Sequence, residues 1–447
     1  MFFEMIRAEG LAHQSYLVGG DGVAAVIDPR RDCAVYLERA SHHEAAITDI
    51  FETHRNEDFV IGSTALASRT GARIRHGSAT EFQYGTPVRG GDRFRIGPVE
   101  LEAIETPGHT QESLSYVLYE RSNAGEPLMV FTGDALFAGS VGRTDLASDD
   151  RAANAAALYA SLHEKLLTLP EGTVVCPAHG AGSVCGISIR DLPLTTIGYE
   201  HATNPFLAMD RSTFVRRKAE ELTYRPPYFS RMEALNLAGP PSLPGRTLLE
   251  PVGLSRLADA QVVDIRSPTA FGAGHIPGSL CIWREGLASF MGWFLGYDEP
   301  IVLVDDFNLS LDGVAAQFLR LGYDNLAGYL GGGFLAWFRS GRRIGQIETW
   351  SVHELHERLD DVFVLDVRDG NNRADQGAIP GSHHVYVGEL ESALDALPRD
   401  RTIATHCDVG YKGAIAASLL GRHRFDRLAN VLGGFSAWKE AGYPIER

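Results

Sequence analysis

The sequence predicts a multidomain protein of mixed α/β and α+β class: one large N-terminal unit followed by two small α/β domains. Three observations lead there. At 447 residues the chain is too long for one ordinary core, so roughly two to four domains are expected. The segment LAGPPSLPGRTLLEPVG, residues 237–253, concentrates Pro and Gly and interrupts helix and strand periodicity alike, as a linker does. After it the sequence repeats itself: VVDIRSPTAFGAGHIPGS, ending at Ser279, matches VLDVRDGNNRADQGAIPGS, ending at Ser382, and YLGGGFLAWFRSG matches VLGGFSAWKEAG.

In that repeat Asp264 pairs with Asp366, Pro277 with Pro380 and Trp337 with Trp438, a period of about 100 residues. Solenoid units run ~20 to 50 residues, so this is a duplicated domain. Each copy alternates apolar, β-branched runs (VFVLDV, RTIATHC) with helical patterns (GAIAASLLGRH), which predicts parallel sheets with crossover helices. The expected domains are residues 1–240, 248–345 and 348–447.

Composition narrows the function classes. With 41 basic and 57 acidic residues the net charge is −16, which argues against nucleic-acid or anionic-membrane partners; an anionic substrate needs local donors. The N-terminal stretch MFFEMIRAEGLAHQSYLVGG has an acid at position 4 and no long apolar run, so neither a signal peptide nor a membrane span is expected there. A cytoplasmic location is the expectation. Five irregularly spaced cysteines, Cys33, Cys176, Cys185, Cys281 and Cys407, fit reduced thiols rather than a disulfide framework.

In the first unit four apolar runs each stop abruptly at a residue able to bind metal. ITDIFETH ends in His54, LEAIETPGH in His109, LMVFTGD in Asp134 and TVVCPAH in His179. One such residue alone is an ordinary loop residue. Four at strand ends are expected to converge on one cleft, where rigid strands position loop side chains.

His54, Asp58, TPGHT, FTGDALF and CPAHG together resemble the metallo-β-lactamase superfamily over about residues 1–235, and FTGDALFAGSVGRTDL with TPGHTQESLSY resembles its persulfide dioxygenase and glyoxalase II branch. The resemblance implies an αββα sandwich with a metal site along one edge. In the two-zinc members the positions of His54, Asn56 and His109 hold one ion, those of Asp58, Phe59 and His179 hold the other, and Asp134 bridges. Phenylalanine cannot coordinate, and a neutral amide is a poor ligand, so a zinc pair is not expected.

His54, His109 and Asp134 remain. Two histidines and one carboxylate with open positions make the facial triad of non-heme iron(II) oxygenases, the set that persulfide dioxygenases use for one iron. One Fe(2+) per chain is therefore expected, with Asp58 and His179 orienting ligands or substrate. Arg143 either holds the carboxylate of a thiol substrate or pairs with Asp145. Cys176 and Cys185 flank His179 at no recognised metal spacing and read as buried structural cysteines.

In the last domain IATHCDVGYKGAIAASLL, residues 403–420, places Cys407 between an apolar strand and a helix. Successive backbone N–H groups and a helix N-terminus suit a nucleophilic thiolate, and the following Gly410 and Lys412 weigh against simple core packing. With DVR at 366–368, IPGS and LGGFSAW, the loop resembles the rhodanese homology domain over about residues 348–447. The short Cys-to-cation spacing is that of sulfurtransferases rather than the related phosphatases; Lys412 stands where the family usually has Arg, keeping the charge but losing the fork of donors. The first copy reads IVLVDDFNLSLDGVAAQFL, with Asp305 or Asp306 at the nucleophile's place and no cation following. It is expected to lack catalysis, and Cys281 to be structural.

The whole chain thus resembles a persulfide dioxygenase followed by tandem rhodanese domains. The resemblance implies O2-dependent oxidation of low-molecular-weight thiol persulfides to sulfite, then sulfur transfer through Cys407 and Lys412 to give thiosulfate, as sulfide and persulfide detoxification. Expected partners are a persulfide, O2 and sulfite, with no nucleic acid or membrane, in a homo-oligomer. A zinc thioester hydrolase carrying a sulfurtransferase module, and a sulfur-carrier scaffold with a dead metal site, are the alternatives.

Overall fold

The computed structural model describes residues 1–122, 125–186, 188–241, 243 and 249–447. Residues 242 and 244–248 of the expected linker, including the expected start of the second domain, lie outside the described residues. The chain forms two compact units, residues 1–246 with 319–322, and residues 247–318 with 323–447. Among the described residues no helix is long and apolar enough to cross a membrane.

The first unit contains two six-stranded sheets. One runs in the order Phe2–Ala8, His13–Gly20, Val23–Ile27, Ala46–Phe51, Arg73–Gly77, Thr86–Val88. The other runs Thr195–Thr196, Val174–Pro177, Pro127–Gly133, Leu114–Glu120, Val99–Glu105, Arg93–Ile96. Strand periodicity explains their stacking, because successive side chains point to opposite faces. Tyr16, Val18, Ala25 and Ile27 join Tyr116, Leu118, Phe131 and Cys176 in one core between the sheets. Their neighbours Leu17, Ala24 and Val26 pack with Tyr36, Ala40, Ala65 and Leu66 of helices Ala34–His42 and Ser63–Thr70. On the other side Val117, Val130 and Val175 meet Ala155, Leu158 and Phe214 of helices Arg151–Glu164 and Arg211–Ala219. Both faces of each central strand are buried, which is why those runs read as continuously apolar. The four layers, helix–sheet–sheet–helix, are the sandwich implied by the resemblance.

The second unit holds the duplication. Its two five-stranded parallel sheets run Pro251–Val252, Leu326–Leu330, Ile301–Val304, Gln261–Asp264, Leu280–Cys281, and Glu348–Trp350, Leu428–Val431, Ile403–His406, Phe363–Asp366, His383–His384. Strand order is the same in both. The shared Asp-x-Arg motif has one structural role: Arg266 donates to Asp264 and to the Gly274 carbonyl at 2.8 Å, and Arg368 to Asp366 and to the Gly377 carbonyl at 2.8 Å. Each buried guanidinium also lies over a ring, Phe334 or Phe435. Each thereby ties a strand end to the helix that follows it.

Candidate metal centre and cysteine loop

Four strand ends of the sandwich deliver the candidate ligands. His54 follows strand Ala46–Phe51, His109 follows Val99–Glu105, Asp134 follows Pro127–Gly133 and His179 follows Val174–Pro177. Gly133 makes the turn into Asp134 with φ 55°, and a Cβ there would lie 2.6 Å from the Thr53 hydroxyl. Only glycine combines that backbone conformation with so close an approach. All four side chains are buried, as are Glu57 and Asp58.

Hydrogen bonds fix how the imidazoles face. Thr53 donates its hydroxyl proton to Asp28 at 2.7 Å, so its oxygen accepts from His54 Nδ1 at 2.9 Å. His54 Nε2 is then a lone pair, 3.7 Å from Asp134 Oδ2. His109 Nδ1 donates to the Arg143 carbonyl at 3.0 Å and turns Nε2 toward Asp134 Oδ2 at 3.5 Å and Glu57 Oε2 at 3.7 Å. Among the described residues, His54 Nε2, His109 Nε2, Asp134 Oδ2 and Glu57 Oε2 are all buried without a hydrogen-bond partner. Burial opposes charge on His109, but Glu57 and Asp134 outweigh it and raise the pKa. Burial would likewise raise Asp134, yet His179 and His54 hold its carboxyl well below the usual range. Inward-facing acceptors with no donor among them require a cation, proton or metal.

His179 is held differently. Its Nδ1 lies 2.7 Å from Asp134 Oδ1 and its Nε2 3.1 Å from Asp58 Oδ2. Burial disfavours its charge, but Asp134 and Asp58 raise its pKa well above the ordinary value. Nδ1 is hydrogen-bonded to Asp134, while Nε2 faces Asp58 as an ion-pair contact without a hydrogen bond. It thereby pins one oxygen of Asp134 and leaves the other facing His54 and His109. Asn56 donates to the His54 carbonyl at 3.3 Å, and the Phe59 ring packs 4.2 Å from that of His13. Burial, with His179 adding to it, lowers His13 to about 3. His13 therefore adds no charge here.

Two members of this cluster escaped sequence reasoning. Glu57 sits inside the HRNED run but belongs to no ligand pattern. Cys185, read with Cys176 as structural, places its sulfur within 4.8 Å of ligand atoms of Asp58 and His179, and likewise of His109 and Asp134. Cys176 stays in the core between the sheets. Burial pushes both thiols up. Of the two alternatives for Arg143, the structure contains the ion pair: Nε and Nη2 meet Asp145 at 2.7 and 2.6 Å, and further donors go to the Val184 and Tyr224 carbonyls. With its fork committed internally, Arg143 offers no bidentate grip to a substrate carboxylate.

In the second unit Cys407 lies directly after strand Ile403–His406 and is 1% exposed. The Gly410 N–H donates to its sulfur at 3.1 Å, and Gly410 (φ 99°) opens helix Tyr411–Arg422. A Cβ on Gly410 would lie 3.0 Å from the Val431 carbonyl oxygen and from Leu432 Cα. Lys412 pairs with Asp408 at 3.2 Å. In the first copy Asp305 takes the equivalent place after Ile301–Val304, accepting the Asn308 N–H at 2.8 Å. Its cation comes from outside the loop: Arg284 donates to Asp305 at 2.9 Å. Cys281 is buried, and its N–H donates to Ser418 of helix Tyr411–Arg422 at 3.0 Å.

Residues 8–179 match the metallo-beta-lactamase superfamily model, and residues 253–340 and 351–441 match the rhodanese-like domain model. The chain is 39% identical over 120 residues to the probable metallo-hydrolase YqgX of Bacillus subtilis, covering 27% of this chain and 46% of that protein. It is 32% identical over 212 residues to the mitochondrial persulfide dioxygenase ETHE1 of Homo sapiens, covering 45% of this chain and 74% of that protein. A solved metallo-beta-lactamase structure from Staphylococcus aureus superposes with a TM-score of 0.67 at 30% identity, covering 74% of this chain and 98% of that one. With its histidine and carboxylate cluster at the strand ends of an αββα sandwich, the chain belongs to the metallo-β-lactamase superfamily, in the family of the ETHE1 persulfide dioxygenases, and carries two rhodanese-like domains behind that sandwich.

Proposed function

We propose that the chain is a non-heme iron persulfide dioxygenase, coupled to rhodanese sulfur transfer, that converts low-molecular-weight thiol persulfides to sulfite and thiosulfate. The observation that carries this reading is the donor set. His54, His109 and Asp134 face one another with unpartnered atoms, while Asn56 and Phe59 each remove one ligand from the two sets that hold a zinc pair. The residues present therefore fit one metal. Iron(II) held by His54, His109 and Asp134 would supply a centre at which O2 and a persulfide sulfur react.

The chain's own groups prepare that centre. Thr53 and Asp28 hold His54 in the tautomer with a free Nε2, and the Arg143 carbonyl does the same for His109. His179, clamped between Asp58 and Asp134, keeps Asp134 turned with one oxygen available. The overall conversion is RSSH + O2 + H2O to RSH, sulfite and two protons.

At Cys407 the thiolate attacks the terminal sulfur of a second persulfide. The S–S bond of the donor breaks, RSH leaves, and Cys407 carries the sulfane sulfur with the Gly410 N–H beside it. Sulfite then attacks that outer sulfur, thiosulfate departs, and the thiolate returns. Lys412 supplies positive charge at the loop, partly neutralised by Asp408. The first copy has no thiol at this place.

Metal analysis of anaerobically purified protein, paired with an O2 electrode trace on adding a persulfide, tests the reading. Iron near one per chain and persulfide-dependent O2 uptake are expected. Zinc without O2 uptake would favour a thioester hydrolase, and no metal with activity at Cys407 alone would favour a sulfur carrier.

A further inference from the structure

Glu57 is the residue of this cleft that the two-histidine, one-carboxylate set leaves unexplained. Its side chain is fully buried, and one oxygen, Oε1, accepts from Arg55 at 3.2 Å. The other, Oε2, has no partner and lies 3.7 Å from His109 Nε2. Ligand atoms of His54, Glu57 and His109 all lie within 4.8 Å of one another. A carboxylate oxygen cannot donate, and with Nδ1 of His54 and of His109 engaged by Thr53 and the Arg143 carbonyl, each ring turns its unpartnered Nε2 into the same space as Glu57 Oε2. Burying a carboxylate oxygen with no hydrogen-bond partner beside two imidazole nitrogens is unfavourable unless a cation joins them.

We infer that Glu57 is a protein ligand of the metal held by His54 and His109, so that the centre is a two-histidine, two-carboxylate site. The chain thus compensates for the poor ligand Asn56 with the next side chain in the sequence. Asn56 turns its amide to the His54 carbonyl and Glu57 enters the cluster in its stead. Arg55 steers the carboxylate by holding Oε1, which leaves Oε2 as the coordinating atom. A fourth protein ligand narrows the positions open to exogenous ligands and adds negative charge, which favours a hard or borderline dication over a soft one.

The inference rests on reading this cleft as a metal site, and the two can fail separately. The test uses the full-length chain loaded with Co(II), comparing wild type with Glu57→Gln, which keeps the shape and the acceptor for Arg55. Glu57→Gln is expected to weaken Co(II) binding about tenfold or more in chelator competition. Its visible ligand-field bands are expected to shift, with the unfolding midpoint of the metal-free protein not lowered. Unchanged affinity and unchanged bands would overturn the inference.

Should the variant misfold, wild-type protein carrying carboxyl-13C glutamate answers the question by infrared difference spectroscopy. A metal-dependent, isotope-shifted glutamate band supports coordination, and its absence rejects it. Zinc without O2 uptake together with that glutamate band removes the dioxygenase reading and leaves Glu57 a ligand. O2 uptake with no glutamate band removes only this inference.

Discussion

Cys407 and Asp305 occupy one place in the two copies of a single fold. Each follows the fourth residue of an equivalent parallel strand and accepts the backbone N–H of the residue three positions on, Gly410 at 3.1 Å and Asn308 at 2.8 Å. In one copy the acceptor is a sulfur able to exchange. In the other it is a carboxylate held by Arg284 from outside the loop, a group with no sulfur to exchange.

Asp305→Ala is therefore expected to cost about 1–3 kcal/mol of stability, because the Asn308 N–H and Arg284 lose a charged acceptor. Sulfur transfer should be unaffected. Urea unfolding and a thiosulfate assay on the same preparation check both halves, and lost transfer would give the first copy a role this account denies it.

Cys407→Ser is expected to fold normally and to leave sulfite accumulating where the wild type releases thiosulfate. Product analysis by chromatography measures the ratio. An unchanged ratio contradicts the coupling.

His109→Ala should abolish O2 consumption while leaving Cys407 labelling by a thiol reagent intact, since the two groups belong to different compact units. Loss of labelling would point to a folding defect instead.

Thr53→Val tests the orientation relay. Without the hydroxyl, His54 Nδ1 loses the acceptor that fixes its tautomer, and Asp28 loses a donor at 2.7 Å. Metal affinity is expected to fall about 10- to 100-fold with the fold retained, read by chelator competition.

The strand ends were legible in the sequence because a buried strand must stop being apolar where it leaves the core. His54, His109, Asp134 and His179 each stand at such a stop. The duplication was legible for a similar reason: Asp264 and Asp366, with Arg266 and Arg368, brace the same turn in each copy. What stayed hidden depends on contacts between distant segments. Asp28 meets Thr53 from another strand, Arg284 reaches Asp305 from outside its loop, and Cys185 enters the cluster on a loop whose spacing matches no ligand pattern. For Arg143 the sequence offered two partners of equal standing, and only packing placed Asp145 against it.

Glu52 gives a pH signature. Burial raises its carboxyl to about 8, with the Tyr84 hydroxyl donating to both oxygens at 3.0 Å. The folded state holds this proton more tightly than the unfolded chain does. The stabilisation is complete below the ordinary value of 4.5 and is lost as pH rises through about 8. Across that window the loss is on the order of 5 kcal/mol. Glu52→Gln should remove this slope from a series of urea midpoints, and a slope unaltered by the substitution would assign the effect elsewhere.

The most direct measurement is the ratio of O2 consumed to sulfite released by iron-loaded Cys407→Ser protein given a low-molecular-weight thiol persulfide. One O2 per sulfite, one thiol formed alongside and no thiosulfate are expected. Persulfide turnover without O2 consumption, or full activity in a zinc-loaded preparation, would contradict the dioxygenase reading.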